Sequence, residues 1–460
     1  MGYQSVNPYN GVVLGSFHQL TNKELETLIA SAHNCYEDWK NRSFASKEKV
    51  LLKAAELMRD DVDYFAGLIT LEMGKLIEQA RGEVLLSADI ISYYAENAET
   101  FLAPVSLSQK TGEAQIFSRP IGLLFGVQPW NFPYYQLARF AAPNLMAGNV
   151  VLIKHAASVP QCALAFEKLF LDAGAPAGAY TNLFISYKQS DAIIDDSRIK
   201  GVALTGSEEA GKKVAARAGK SLKKTTMELG GSDAFIVLED ADLDLAVQWA
   251  VWAKMNNAGQ SCVAAKRFIV VKPVAEQFLE KFKAALQSFK PGDPMIASTT
   301  LAPLSSEKAL LDLIKQVKAA VRHGATLLIG GKRADHAGAF MQPTILTNIS
   351  ADNPAYIQEF FGPVALFFIV DSEDDAIQLA NATDFGLGGS VFSKDIDRAK
   401  RVANQIETGM VFINQPTWTA PDLPFGGIKN SGYGRELSSL GIQEFVNKKL
   451  VRVSHAAAPA

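Results

Sequence analysis

Apolar residues recur every three or four positions along residues 47–58 (KEKVLLKAAELM), with charged residues between them. That spacing predicts an amphipathic helix. Residues 21–100 read as helical overall, with Met73-Gly74 as a break between two further amphipathic helices. From residue 121 the period changes. Short apolar runs at 121–127, 149–153, 181–185 and 201–204 alternate with helical patterns at 161–173 and 211–218. Such alternation predicts parallel strand–helix–strand units and a doubly wound sheet. A second series follows: strand 234–238, helix Leu243–Met255, strand 268–271, helix 274–288, strands 325–329 and Val364–Val370, helix 373–380 and strand 410–414. The fold class is therefore α/β, with two doubly wound parallel domains. The tail at 449–454 (KLVRVS) predicts a short strand with no local partner, of the kind that completes a sheet elsewhere, another subunit included.

Composition narrows the function. At roughly 100–200 residues per domain, 460 residues predict two to four domains. With 48% hydrophobic and 20% charged residues, wholesale disorder is excluded. A net charge of −3 carries no nucleic-acid footprint and no polybasic membrane surface. The longest apolar runs are far short of the roughly twenty residues a spanning helix needs. No basic-then-apolar leader opens the chain, so no signal peptide is expected. Cys35, Cys162 and Cys262 lie far apart and form no CxxC pair, and no two of the six histidines are four apart. Neither a disulfide framework nor a metal site is expected, and the cytoplasm is the natural compartment.

Three local patterns carry chemistry. Helix Leu243–Met255 runs into Asn256-Asn257-Ala258-Gly259-Gln260-Ser261-Cys262, a polar loop ending in a lone cysteine. Loops are where function concentrates, whereas Cys35 and Cys162 fall inside helical patterns and read as packing residues. A nucleophilic cysteine needs a base or backbone N–H dipoles beside it. Glu228 precedes paired glycines in MELGG, where a carboxylate can approach a ligand as a general base. Asn131 is bracketed by prolines in PWNFP (129–133), which fix a loop and ready an amide for an oxyanion. Thr205-Gly206-Ser207 follows a strand and opens a helix, a natural phosphate cradle, and Lys154 ends another strand. No GxGxxG fingerprint occurs.

In chain order, PWNFP, Lys154, TGS at 205–207, MELGG at 227–231, GQSC at 259–262, EFFGPV at 359–364 and PFGGIKNSGYGRE at 424–436 resemble the aldehyde dehydrogenase superfamily over essentially the whole chain. The resemblance implies a dinucleotide-binding domain (1–107 and 123–229), a catalytic domain (230–429) and an oligomerisation sheet (108–122 and 430–460) that joins a homodimer or homotetramer. It implies that Cys262 attacks an aldehyde, that Asn131 and the Cys262 N–H hold the oxyanion, and that Glu228 activates water to release a carboxylate. Lys154 and Glu359 would bind the cofactor's ribose hydroxyls. Phe361 and Trp130 would line its nicotinamide end, Gly206 and Ser207 would meet its pyrophosphate, and Leu229 would border it. A CoA-acylating relative would not need Glu228.

Two departures bear on specificity. NAD-preferring members carry a glutamate three residues after the ribose lysine, where this chain has Ala157, followed by Ser158. At about 4 Å an acidic side chain would oppose a 2′-phosphate by on the order of 1–4 kcal/mol. NADP is therefore expected as the preferred cofactor, with NAD usable. Arg139 lies eight residues after Asn131, about two helical turns, so on roughly the same face. Relatives acting on succinate semialdehyde carry arginine there, and a guanidinium grips a carboxylate with two hydrogen bonds. Gln136 and Tyr135 are further pocket candidates. The segment KHAASVPQCA at 154–163 also resembles the shorter bacterial succinate-semialdehyde dehydrogenases. The expected substrate is a small anionic aldehyde, succinate semialdehyde first, with glutarate semialdehyde or a broad range of aliphatic aldehydes as the alternative.

Overall fold

The helical stretch at 21–100 divides into four helices, Asn22–Trp39, Phe44–Asp60, Val62–Met73 and Ile77–Phe101. Each boundary has a local cause. Thr21 and Glu24 form a reciprocal cap on the first, and the Ser43 hydroxyl accepts from the Ser46 N–H on the second. Gly74 ends the third at φ 80°, where a Cβ would lie 2.6 Å from Pro303. In Phe44–Asp60 the buried stripe is Lys47, Val50, Leu51, Ala54, Ala55 and Met58, the helical period read from the sequence. The structure is a computed structural model and describes residues 2–109 and 112–454. His455 and residues 110–111 and 455–460 of the expected oligomerisation segments lie outside the described residues.

Two parallel sheets follow. In the first, the spatial order is Tyr180–Asn182, Val150–His155, Leu123–Gln128, Ile199–Thr205 and Lys224–Glu228, with Gly432–Tyr433 antiparallel on the outer edge. Chain order reverses between Leu123–Gln128 and Ile199–Thr205, and such a switch opens a crevice at the strands' carboxyl ends. The second sheet runs Thr326–Ile329, Thr344–Thr347, Val364–Val370, Ala265–Val271, Asp233–Val237, Gly389–Phe392 and Phe412–Ile413. Its first strand alone is antiparallel to its neighbour. Central strands such as Val150–His155 and Ala265–Val271 are buried at every residue, as helices on both faces require.

The tail strand does find a partner within the chain. Val446–Val453 pairs antiparallel with Glu113–Pro120, which pairs with Val105–Leu107. Val105, Leu107, Leu450, Val451 and Val453 are exposed on this small sheet. The stretch just before it returns to the first large sheet through Gly432–Tyr433. The strands Lys224–Glu228, Thr344–Thr347 and Gly389–Phe392 were not evident in the pattern, being short or rich in polar residues. No helix among the described residues is long and apolar enough to cross a membrane.

Candidate active site

The two sheets contribute opposite strand ends to the site. The first presents the carboxyl ends of its strands: Pro129–Pro133 follows Gln128, Lys154 lies one residue before its strand ends, and Gly206 and Glu228 lie at two further ends. The second presents amino ends: Cys262 precedes Ala265–Val271, Asp233 opens its strand and Glu359 precedes Val364–Val370.

The cysteine loop is wound left-handed. After Met255 the chain passes through Asn257, Ala258 and Gly259 at φ 53°, 51° and 76°. Two non-glycine residues in this region store on the order of 1–2 kcal/mol each. Gly259 is required, since a Cβ there would lie 2.2 Å from the Gly362 carbonyl. The turn is pinned by Asn257 Nδ2, which donates to the Asn131 carbonyl at 2.9 Å and the Gln260 carbonyl at 3.1 Å. Asn131 Nδ2 also donates to the Gln260 carbonyl, at 3.1 Å, which ties the PWNFP loop to the cysteine loop and leaves one amide hydrogen free. Burial pushes the Cys262 thiol up to about 12, while Lys266 and Arg139 pull it the other way.

Glu228 ends its strand deep in the protein, and neither carboxylate oxygen has a hydrogen-bond partner there. Burial holds its carboxyl well above the usual range; Arg139 opposes this and Glu436 reinforces it. Once ionised, a carboxylate whose pKa is raised is the stronger base toward water.

The crevice of the first sheet fits a dinucleotide. Lys154 is mostly buried, its ammonium 5.7 Å from the Tyr3 ring centre and 5.2 Å from that of Tyr187. Burial pulls it down to about 8, so an anionic ligand would favour its charged form. Ala157 and Ser158 form the turn beyond it. The Ser207 oxygen caps helix Glu208–Lys220 by accepting the Ala210 N–H, which leaves its O–H to donate. The Gly206 N–H is already used by the Glu228 carbonyl, at 2.9 Å. Leu229 packs on Leu204 and Met227. Trp130 and Phe361 meet edge to face at 5.9 Å. Glu359 accepts the Gly231 N–H at 3.1 Å and pairs with Lys266 at 3.1 Å.

A cavity of about 320 Å³ opens on Cys262 from the other side, lined in part by Phe132, Tyr135, Gln136, Arg139, Trp252, Trp418 and Phe425. Residues 1–451 match the model of the aldehyde dehydrogenase family. The chain belongs to that family. It is 51% identical to the NADP(+) succinate-semialdehyde dehydrogenase of Deinococcus radiodurans, over 98% of this chain and 94% of that one. It is 45% identical to a probable enzyme of the same name from Synechocystis, over 99% and 100%. The crystal structure of Streptococcus pyogenes succinic semialdehyde dehydrogenase in complex with NADP+ superposes with a TM-score of 0.97 at 47% identity, covering 98% of this chain and all of that one.

Within this aldehyde dehydrogenase Arg139 already has a partner from the chain itself. Arg139 was expected to grip a substrate carboxylate. It lines the cavity, but it is buried and ion-paired with Glu436 through Nε. Its other nitrogens donate to the Tyr135 hydroxyl at 3.1 Å and to Thr205 Oγ1 at 3.2 Å, beneath the Phe425 ring. A buried guanidinium needs partners for its charge and its N–H groups, and here the chain supplies a carboxylate of its own. Tyr135 reaches Thr419 Oγ1 at 2.8 Å, and the Gln136 amide meets Asn131 Oδ1 at 3.0 Å.

Several residues near the dehydrogenase centre left no sequence signal. Lys75, buried and paired with Glu83, donates to the Asn131 carbonyl at 2.9 Å, while Glu83 accepts the Tyr134 and Tyr135 N–H groups. His155 is buried between two carbonyls, with Nε2 3.0 Å from that of Pro133 and Nδ1 3.2 Å from that of Gln128. In sequence these charges read as solvated positions, because only the fold buries them.

Proposed function

We propose that this chain oxidises succinate semialdehyde to succinate with NADP as the preferred hydride acceptor. The carrying observation is the cavity that joins Cys262 to Arg139 and the Tyr135 hydroxyl. The anionic head of the aldehyde would meet Arg139 through the edge now shared with that neutral hydroxyl, leaving the Glu436 pair intact. The named relatives support both substrate and cofactor.

The Cys262 thiolate attacks the aldehyde carbon, and the free Asn131 amide hydrogen and the Cys262 N–H hold the resulting oxyanion. Bound NADP would supply the hydride acceptor. A thioester remains on Cys262, and Glu228 takes a proton from the water that cleaves it. Lys154 and Glu359 would hold the ribose hydroxyls, Ser207 and Gly206 would border the pyrophosphate, and Leu229, Trp130 and Phe361 would line the cleft. Ala157 and Ser158 leave room for the 2′-phosphate. On this reading residues 1–107 and 123–229 serve the cofactor, and residues 230–429 carry the nucleophile. The exposed apolar side chains of the small sheet favour a homodimer or homotetramer, and we place the enzyme in the cytoplasm.

Initial rates with succinate semialdehyde, glutarate semialdehyde and butanal, each with NADP and NAD, test this. Succinate semialdehyde with NADP should give the highest kcat/KM. Faster turnover of butanal would overturn the substrate, and a kcat/KM for NADP more than about tenfold below that for NAD would overturn the cofactor.

A further inference from the structure

Behind Cys262 lies a second layer of buried charge that the chemistry above does not use. Helices that return between parallel strands bring their carboxyl ends to the strands' amino edge, where the helix dipole is negative. Helix Leu243–Met255 ends there just before the cysteine loop, and helix Glu373–Asn381 ends there before Gly389–Phe392. That field opposes a thiolate. Three basic side chains lie fully buried at this edge: Lys254, which burial holds well below its usual range, Lys266 and Arg267. Lys254 donates to the Gly362 carbonyl at 3.3 Å, and Arg267 to the carbonyls of Ser232, Leu379 and Ala380 at 2.7–2.9 Å. Lys266 is the one that binds the nucleophile's own peptide. Its ammonium donates to the Ser261 carbonyl at 2.8 Å and the Cys262 carbonyl at 2.5 Å, and it pairs with Glu359.

We propose that Lys266 is a positioning residue for the reaction, clamping the Cys262 peptide and the Glu359 carboxylate together and supplying the positive charge against which Cys262 ionises. One side chain thereby ties the cysteine loop to the Glu359 loop, and Glu359 in turn holds the Gly231 N–H next to the Glu228 strand end. The role extends the dehydrogenase reading without depending on which aldehyde is used. The charged and titratable groups facing Cys262 are Lys266, Arg139, Glu359, Asp233 and Tyr135. Of the two cations, Lys266 comes from the strand next to the cysteine, and burial of the thiol is the effect it opposes. Asp233 is itself held up at about 6 by burial, with Lys266 drawing it down.

The test is alkylation of Cys262 by iodoacetamide across pH, without cofactor or aldehyde, in the full chain. Lys266→Met should move the midpoint up by about one unit, so that alkylation at a fixed pH below it slows about tenfold. Lys266→Arg should restore most of the rate, and Lys266→Met should also raise KM for NADP more than it lowers kcat. An unchanged midpoint in folded Lys266→Met would overturn the proposal and leave Lys266 a structural brace. If that variant does not fold, Glu359→Gln removes the opposing charge and should move the midpoint down; no movement there overturns the proposal equally. A wild-type enzyme inactive on succinate semialdehyde would refute the substrate while leaving the alkylation comparison intact.

Discussion

The six-stranded and seven-stranded sheets are wound alike, yet each meets the site with the opposite end of its strands. The first gives carboxyl ends, where a crevice opens and helix amino ends such as that at Ser207 favour anions. The second gives amino ends, where helix carboxyl ends gather and anions are disfavoured. The cofactor's phosphates suit the first edge with little further help. The cysteine belongs to the second, and buried cations accompany it there. The same doubly wound architecture therefore presents strand carboxyl ends to the site in one half and, in the other, a nucleophile that needs charge compensation.

The hardest blow to this contrast is removal of either reacting group. Cys262→Ala should reduce turnover by at least about 10⁴-fold; retained dehydrogenase activity would sink the assignment. Glu228→Gln should slow thioester hydrolysis by roughly 10²–10⁴-fold while sparing the first turnover. Rapid mixing should then show a burst of reduced cofactor followed by little steady-state rate. In the wild type, the raised Glu228 carboxyl has a definite sign: it must be ionised to act, so hydrolysis should rise with pH through a midpoint well above the ordinary carboxylate range. A flat profile from pH 5 to 8 would contradict that.

Smaller effects sharpen the two edges separately. At the first, Ala157→Glu should lower kcat/KM for NADP by about tenfold or more and spare that for NAD; equal losses would place the 2′-phosphate elsewhere. Arg139→Met leaves Glu436 buried and unpaired, so it should cost about 3–5 kcal/mol of stability along with KM for the anionic aldehyde. Adding Glu436→Gln should recover stability and leave the KM defect. At the second edge, Arg267→Met should cost about 3 kcal/mol in unfolding free energy through three lost charge-assisted hydrogen bonds. It should leave the pH dependence of Cys262 alkylation unchanged, which separates a brace from Lys266.

Much of the fold was legible. The apolar period changes at residue 121, and two series of strands and helices follow it, because strands buried on both faces must be apolar throughout. The polar strand Lys224–Glu228 was missed for the converse reason: its edge-side neighbour is the short Gly432–Tyr433, two hundred residues away. At the site, PWNFP, MELGG and GQSC were legible as loops with special residues. Lys75, Lys266 and Glu436 were not, since a charged residue beside apolar ones reads as exposed until long-range contacts bury it.

The sequence by itself determined the two α/β series, the cysteine loop with its asparagines and glycine, and the absence of an acidic group at Ala157. These depend on periodicity and on local backbone needs, which neighbours in the chain dictate. Only the tertiary structure decided that the two sheets meet with opposed strand ends, that Arg139 is bound to Glu436, and that Lys266 grips the peptide of Cys262. Those facts depend on which distant residues share a low-dielectric interior, where a buried charge must find its partner and periodicity does not say which one.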